Sequence, residues 1–555
     1  MRMIEILCVN NSTRKSYPLG TSLLEIIKDN KIENGTPFLG ARVNNEIKEL
    51  SYEIFKPKTI QFFDINDIDG RRMYTRSLLF VLLKAAHDLY PEKLVKLEHS
   101  ISKGYYCEIA PLSKDQNIQT SLDIGNRMRE IIDANLPFLR DEIPTKEAIE
   151  IFEKNNFVEK AKLFKNRTLL YTSIYKIDEY ENYFYGQLVP STGYLEVFDL
   201  VPYFDGMLLQ VPKFSNPHEV EELILQPKLF EILQEYKQWG KVLGVSNICS
   251  INDEIEKGTA NELIKISEAL HEKKVAQIAD RVYHHKDKTK LVLIAGPSSS
   301  GKTTFCMRLA VQLKVAGLKP IQISLDNYFV DRELTPRDEN GHYDFETIDA
   351  LDIKQFNEDM LNLMSGNEIK VPHFSFEKGA RYYNDETMKM TDENILLVEG
   401  IHGLNPKLTA MIQPENKFKI YVSALTQVGI DWHNRIPTTD NRLIRRIIRD
   451  YQYRHYSALE TLRRWPSVRR GEDKYIFPFQ EEADIMFNSA LLFELGVLKR
   501  YVEPLLEEIQ QIEPEYSEAQ RLLKFFSYFK VTPDNEIPPT SILREFLSGS
   551  SFHYA

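Results

Sequence analysis

The chain has 555 residues, of which 43% are hydrophobic and 27% charged; this excludes a largely disordered protein and, at this length, a single ordinary core. A formal net charge of -11 argues against coating of bulk nucleic acid while leaving room for a local basic patch. Cys8, Cys107, Cys249 and Cys306 are scattered without C-x-x-C spacing, which suits a reducing compartment better than a disulfide framework or structural zinc.

The opening stretch MRMIEILCVNN lacks an apolar run of signal-peptide length, and no later stretch approaches the roughly 18 apolar residues of a membrane span. The expectation is a cytoplasmic protein without a membrane partner. Alternating apolar and polar positions in MIEILCVN and TIQFFDI, around a helical stretch at Ser22 to Lys28, predict a small sheet with one helix. Residues 75–213 combine a helix over Ser77 to Leu89, ended by Pro91, with strand-like runs YFYGQLV and YLEVFDLV, which together read as an α+β unit. From Pro217 to Tyr283 the pattern is helical: Thr259 and Glu262 have capping-box spacing, and Leu263, Ile266 and Leu270 form a stripe. HHKDKTK (284–290) reads as a linker, its histidine pair having no third ligand nearby.

The stretch LVLIAGPSSSGKTTF (291–305) carries G-x-x-x-x-G-K-[ST] between an apolar strand and a helical pattern. Gly296 and Gly301 free the backbone of the loop Pro297-Ser298-Ser299-Ser300, so that the N–H groups of its serines and of the following helix can point at phosphates. Lys302 is placed to reach the β/γ-phosphates, Thr303 to ligate Mg²⁺, and Thr304 lies in the first helical turn. Phe305, Leu309 and Leu313 form the helix stripe, and Gly317 and Pro320 mark its end.

IQISLD then suggests a second buried strand with Asp326 at its carboxyl end, where a carboxylate could take a hydroxyl proton or hold a metal-bound water. A third strand, Ile395 to Val398, ends in Glu399, placed to reach Mg²⁺. NRLIRRIIRD sets Arg442, Arg445, Arg446 and Arg449 on one helical face, which reads as a solvated basic face, an RNA contact or a cationic lid over phosphates.

Residues 288–500 resemble the uridine kinase and phosphoribulokinase branch of P-loop kinases. The resemblance rests on the ordered landmarks GPSSSGKT, SLDNYF, YDFETIDALD, VPHFSFEKGAR, ILLVEGIHGL, RRIIRD followed by Arg454, and EEADI. It implies ATP- and Mg²⁺-dependent phosphorylation of a primary hydroxyl, with Asp326 as base and Lys302, Arg445, Arg446, Arg449 and Arg454 on the phosphates. It also places Thr303 and Glu399 at the metal, and Asp326, Tyr328, Glu346, Phe374, Arg381 and Arg454 around the acceptor. The acceptor pocket departs from the uridine kinase pattern: Glu346 stands for an aspartate, and Phe374 and Gly379 replace the tyrosine and histidine that contact the base. Loss of those polar groups weakens readout of uracil, so the expectation is a nucleoside kinase with the base left open.

The first half resembles the front of threonyl-tRNA synthetase. YPLGTSLLEIIKD and ARVNNEIKEL match its TGS module, and LLKAAHDLYP, SKGYYCEI and LVPSTG match its editing domain. The four positions where that family carries metal and proton-transfer ligands hold Arg76, Phe80, Phe184 and Leu188, so editing chemistry is not expected. The expected organisation is a TGS-like β-grasp module (1–66), an α+β editing-like domain (67–213), a helical connector (214–287), an α/β P-loop kinase domain with a mainly parallel sheet (288–505) and a helical extension (506–555).

The substrate is expected to be a nucleoside or another small molecule, with RNA contact through the first half and homo-oligomerisation left open. RLLKFFSYF in the extension reads as an amphipathic packing helix or an oligomer contact. Alternative readings are a kinase of a sugar phosphate or other small alcohol, and an RNA-linked P-loop switch. A regulatory GTPase is disfavoured because no N-K-x-D follows the P-loop.

Overall fold

The computed structural model describes residues 2–32, 34–110, 114–167, 169–338, 341–375 and 377–554; Phe376, within VPHFSFEKGAR, lies outside them. Near the N-terminus, strands Met3–Cys8 and Lys58–Phe63 pair in parallel at the middle of a five-stranded sheet. Thr13–Pro18 and Gly40–Val43 flank them antiparallel, with Glu46–Lys48 at the far edge. The helix Leu23–Asn30 buries Leu23 and Ile26 against this sheet. Its start is set by a reciprocal cap in which Ser22 accepts from the Glu25 N–H while the Glu25 side chain accepts from the Ser22 N–H.

The second unit packs helices Ile68–Leu89 and Lys114–Asp133 against a four-stranded antiparallel sheet of Asp199–Tyr203, Gly206–Gln210, Gly104–Ala110 and Leu94–Ile101. The first helix starts at Ile68 rather than Ser77, because the Asp67 side chain accepts from the Asp69 N–H and caps it there. YFYGQLV is not a strand: regular pairing stops at Asn182. Gly186 sits at φ +148°, so close to Arg76 that a Cβ would come within 2.4 Å of the guanidinium carbon.

The connector forms helices Pro227–Val242, Ile248–Glu256 and Ala260–His284. The predicted Thr259 capping box is absent, since that hydroxyl donates instead to Glu254 Oε2 at 2.6 Å. His284 and His285 each bond through Nδ1 to a backbone carbonyl one turn earlier, at 2.5 and 2.8 Å, which accounts for the pair without a metal.

The C-terminal half is built on a wholly parallel five-stranded sheet in the order Lys319–Ser324, Asn394–Glu399, Leu291–Ala295, Lys417–Ser423, Ile485–Asn488. Every side chain of the central strand Leu291–Ala295 is buried, as a strand covered on both faces requires. The P-loop helix Lys302–Val315 covers one face through Phe305, Leu309 and Leu313. The arginine helix Thr438–Arg454 and the helices Ala458–Tyr475 and Glu494–Glu507 complete the domain. RLLKFFSYF belongs to the helix Tyr516–Phe526 and the turn after it, with Leu522, Phe525 and Phe526 buried in the same core, so it is a packing element. Among the described residues no helix is long and apolar enough to cross a membrane.

Among the contacts that tie the halves together, two groups reach the arginine helix or the loop before it. The loop between the strand Lys417–Ser423 and the arginine helix is gripped by the first half: the Leu97 N–H donates to the Trp432 carbonyl at 2.9 Å, and buried Lys160 lies 3.7 Å from Asp431 and 3.3 Å from His433. A chain of ion pairs then runs from Arg42 through Asp69, Arg72, Glu518 and Arg521 to Asp440, on the first turn of the arginine helix.

Candidate active site

The site forms at the carboxyl edge of the parallel sheet, where helix N-termini and strand ends converge. Gly296 is held so tightly under the neighbouring strand that a Cβ would meet the Val422 carbonyl at 1.9 Å, and Gly301 takes φ +83° to start the helix. The loop is fastened from outside: Arg442 donates to the Ser298 carbonyl at 3.1 Å, Arg446 to the Ser298 hydroxyl at 2.8 Å, and Ser489 to the Ser300 carbonyl at 2.5 Å. With its backbone pinned this way the loop is organised in advance for a polyanion.

Lys302 extends along the loop, its Nζ 3.2 Å from the Pro297 carbonyl. Thr303 faces Glu399 at 3.5 Å, and Ser324 approaches the same carboxylate oxygen at 3.4 Å. Burial pushes the Glu399 carboxyl up to about 7, with Asp326 and Glu545 adding negative field and Lys302 opposing it. Asp326 stands on the cleft wall, reachable by solvent yet crowded by protein; this desolvation raises its pKa against the pull of Lys302, Arg454 and Arg449. Glu399 thus sits beside Thr303 and Ser324 within the field of Lys302 and Asp326.

Such a place fits Mg²⁺ held by Thr303 and Glu399 together with substrate phosphates. Among the described residues no group of three or more His, Cys, Asp and Glu side chains forms a metal cage.

The arginine face divides. Arg442 and Arg445 are not lid residues: both are buried, Arg442 paired with Glu472 and Arg445 with Glu494, and Arg445 also donates to the Ser489 carbonyl at 2.9 Å. They face inward because the stripe that packs on the sheet is wider than the apolar residues alone, and the carboxylates of the two following helices neutralise them. Arg446, Arg449 and Arg454 fan around the buried Asp450 at 3.2, 3.0 and 3.6 Å and remain toward the cleft. Three guanidinium groups on one carboxylate leave a net positive wall opposite Asp326.

The acceptor side also departs from expectation. Tyr328 is buried and donates to Asp359 at 3.0 Å, so its hydroxyl points away from the cleft. Arg381 is held by Asp352 at 3.1 Å and by the Phe329 carbonyl, which makes it a brace for the cleft wall. Phe374 packs on Phe329 with ring centroids 5.6 Å apart. Glu346 lies against Gly471, where a Cβ would come within 2.3 Å, and burial lifts its carboxyl to about 7 despite Arg446 nearby. Its neighbour His402 is pushed down to about 4 by burial, hence neutral.

Several functional contacts are absent from the sequence reading. Glu472 receives both Arg442 and the Ser298 N–H, the latter at 3.1 Å. Asp450 gathers the arginines, its one legible signal being its place at the end of RRIIRD. Glu545 accepts from the Thr304 N–H at 3.2 Å and the Thr304 hydroxyl at 2.7 Å.

In the first half, the four positions expected to lack ligands are filled by packing. Phe80, Phe184 and Leu188 are buried, with the Phe80 and Phe184 rings 5.1 Å apart. Arg76 donates to the Gln187 carbonyl at 2.6 Å.

Residues 291–492 match the Phosphoribulokinase / Uridine kinase family. Uridine-cytidine kinase B of Dictyostelium discoideum is 26% identical over 203 residues, covering 36% of this chain and 75% of that protein. The first half matches threonine–tRNA ligases. That of Desulforamulus reducens is 27% identical over 263 residues, 45% of this chain and 41% of the ligase. The chain thus spans less than half the length of the threonine–tRNA ligases it matches. A solved structure described as a possible uridine kinase from Bacillus stearothermophilus aligns at 16% identity and TM-score 0.25 over 36% of this chain and 89% of that one. The C-terminal region is thus similar to the Phosphoribulokinase / Uridine kinase family over residues 291–492, and the first half is similar to the TGS and editing regions of threonine–tRNA ligases.

Proposed function

We propose that the protein transfers the terminal phosphoryl group of ATP to the 5′-hydroxyl of a nucleoside, giving a nucleoside monophosphate and ADP. The observation that carries this reading is the placement of Asp326 on the cleft wall within the field of Lys302, Arg449 and Arg454. One carboxylate is thereby set to take a hydroxyl proton where cations are set to hold the transferring phosphoryl oxygens.

In this reaction the acceptor oxygen forms a bond to the terminal phosphorus, the bond from that phosphorus to the bridging oxygen of ADP breaks, and the hydroxyl proton passes to Asp326. Lys302 and the P-loop N–H groups hold the phosphate chain. Arg446, Arg449 and Arg454 meet the charge that spreads over the transferring group. Thr303 and Glu399 would hold Mg²⁺, which when bound would neutralise part of that charge. Glu346, with its carboxyl lifted to about 7, can donate a hydrogen bond as well as accept one and so suits a sugar hydroxyl. Phe374 offers the base an aromatic face without polar readout, which favours broad base selection.

The test is transfer from labelled ATP to a panel of ribonucleosides and deoxyribonucleosides, with ribulose 5-phosphate as the sugar-phosphate control. Transfer to nucleosides that falls by about 100-fold or more in Asp326→Asn, with ATP binding retained, supports the reading. Transfer only to the sugar phosphate, or activity unaffected by Asp326→Asn, overturns it.

A further inference from the structure

The segment Ser541–Tyr554 lies on the P-loop. Ile542, Leu543, Phe546 and Leu547 are buried, and Ser541 fastens the turn by donating to the buried Glu268 at 2.5 Å. Ile542 sits so close to Gly301 that a Cβ on that glycine would approach it to 2.6 Å. Tyr453, on the arginine helix, donates to the Leu547 carbonyl at 2.8 Å. The segment is thus wedged between the glycine that opens the P-loop helix and the helix that carries the arginines.

From this anchored turn Glu545 projects onto the first turn of the P-loop helix. Its Oε2 accepts from both the Thr304 N–H (3.2 Å) and the Thr304 hydroxyl (2.7 Å), and the Tyr554 hydroxyl closes the group at 3.0 Å from Thr304. An N–H at a helix N-terminus beside a hydroxyl is what a phosphate oxygen would take, and a carboxylate is the side chain that most resembles one in charge and acceptor geometry. A carboxylate and a phosphate cannot share two donors, and their like charge keeps them apart.

We propose that Glu545 sets the affinity of the donor site: it holds the place of a phosphate of the incoming nucleotide and must be displaced before that nucleotide is fully bound. The proposal rests on the P-loop reading above and adds a residue that the motif does not contain. It makes nucleotide affinity a difference between two occupants of Thr304, lowered by whatever fraction of the protein has Glu545 in place. It also links nucleotide binding to the packing of residues 545–554 against the arginine helix.

The experiment titrates ADP and ATP, with Mg²⁺, into the full chain and into its Glu545→Gln, Glu545→Ala and Lys302→Ala variants. Loss of a charge-assisted competitor should tighten ADP binding about tenfold or more in both Glu545 variants, while Lys302→Ala weakens it. In the unsubstituted chain, saturating ADP should raise amide exchange across residues 545–554. ADP binding by the Glu545 variants that is equal to or weaker than that of the unsubstituted chain overturns the proposal and leaves the kinase reading standing, as does unchanged exchange in that segment. No nucleotide binding by any of the four proteins overturns both.

Discussion

Arg521, on the helix Tyr516–Phe526, holds Asp440 through two hydrogen bonds of 2.7 and 2.9 Å and reaches Glu518 at 2.7 Å with the same guanidinium. Asp440 is buried in the first turn of the arginine helix. Glu518 is also bound by Arg72 of the editing-like unit at 2.6 Å; against the upward push of its burial, Arg521 and then Arg72 hold the Glu518 carboxyl well below the ordinary range. The helix that carries Arg446 and Arg449 is therefore anchored at its first turn by a residue remote from it in sequence.

Arg521→Ala leaves Asp440 buried without its cation, a change that typically costs about 3 kcal/mol or more. The expected outcome is a chain that unfolds at lower denaturant and loses turnover beyond what its folded fraction explains, since Arg446 and Arg449 are carried by the same helix. Chemical denaturation alongside initial rates, with Arg521→Lys as the conservative partner, checks this.

Stability should depend on pH through Glu346 and Glu399. Both carboxyls sit near 7 in the fold against an ordinary 4.5, so the folded state binds their protons more tightly than the unfolded chain does. Their contribution is full below the ordinary value and is lost as pH rises through about 7. Thermal midpoints of metal-free protein should fall between about pH 5 and about pH 8, with a shallower slope in Glu399→Gln. Mg²⁺ with ADP should restore stability at the upper end. Identical slopes for the two proteins would refute the assignment of Glu399.

The packed positions Phe80, Phe184 and Leu188 carry a stability prediction. Phe184→Ala removes a ring buried against Phe80 and should cost about 3–5 kcal/mol, measurable by urea titration. The unsubstituted chain should leave seryl-tRNA acylated at background rate, because aromatic and aliphatic side chains at these positions can neither ligate metal nor move protons. Deacylation above background that Phe184→Ala abolishes would contradict it.

Much of the placement of the candidate site was legible because it is local. The span from Leu291 to Thr304 encodes a buried strand, a glycine-containing loop and a helix start within one stretch. The positions of Asp326 and Glu399 at one sheet edge were legible for a related reason: each follows a short apolar run, and strand ends in a parallel sheet lead to one edge. Reading the arginine helix by periodicity succeeded for its register and failed for its exposure. The inward turn of Arg442 and Arg445 depends on Glu472 and Glu494, which lie on other helices. Tyr328 and Arg381 were misplaced similarly, since Asp359 and Asp352 claim them from across the wall.

By itself the sequence determined the parallel sheet of the C-terminal half, the small β-sheet and α+β units before it, and the strand, glycine-rich loop and helix around Gly296 and Gly301. Each of these is carried by residue type and short-range spacing, which secondary-structure period and motif chemistry read directly. Only the tertiary structure decided which cations face the cleft, how Arg42, Asp69, Arg72, Glu518, Arg521 and Asp440 join the units, and that Glu545 rests on Thr304. Those are pairings between charged groups far apart in the chain. Their partners are chosen by packing, which leaves no periodic trace at either end.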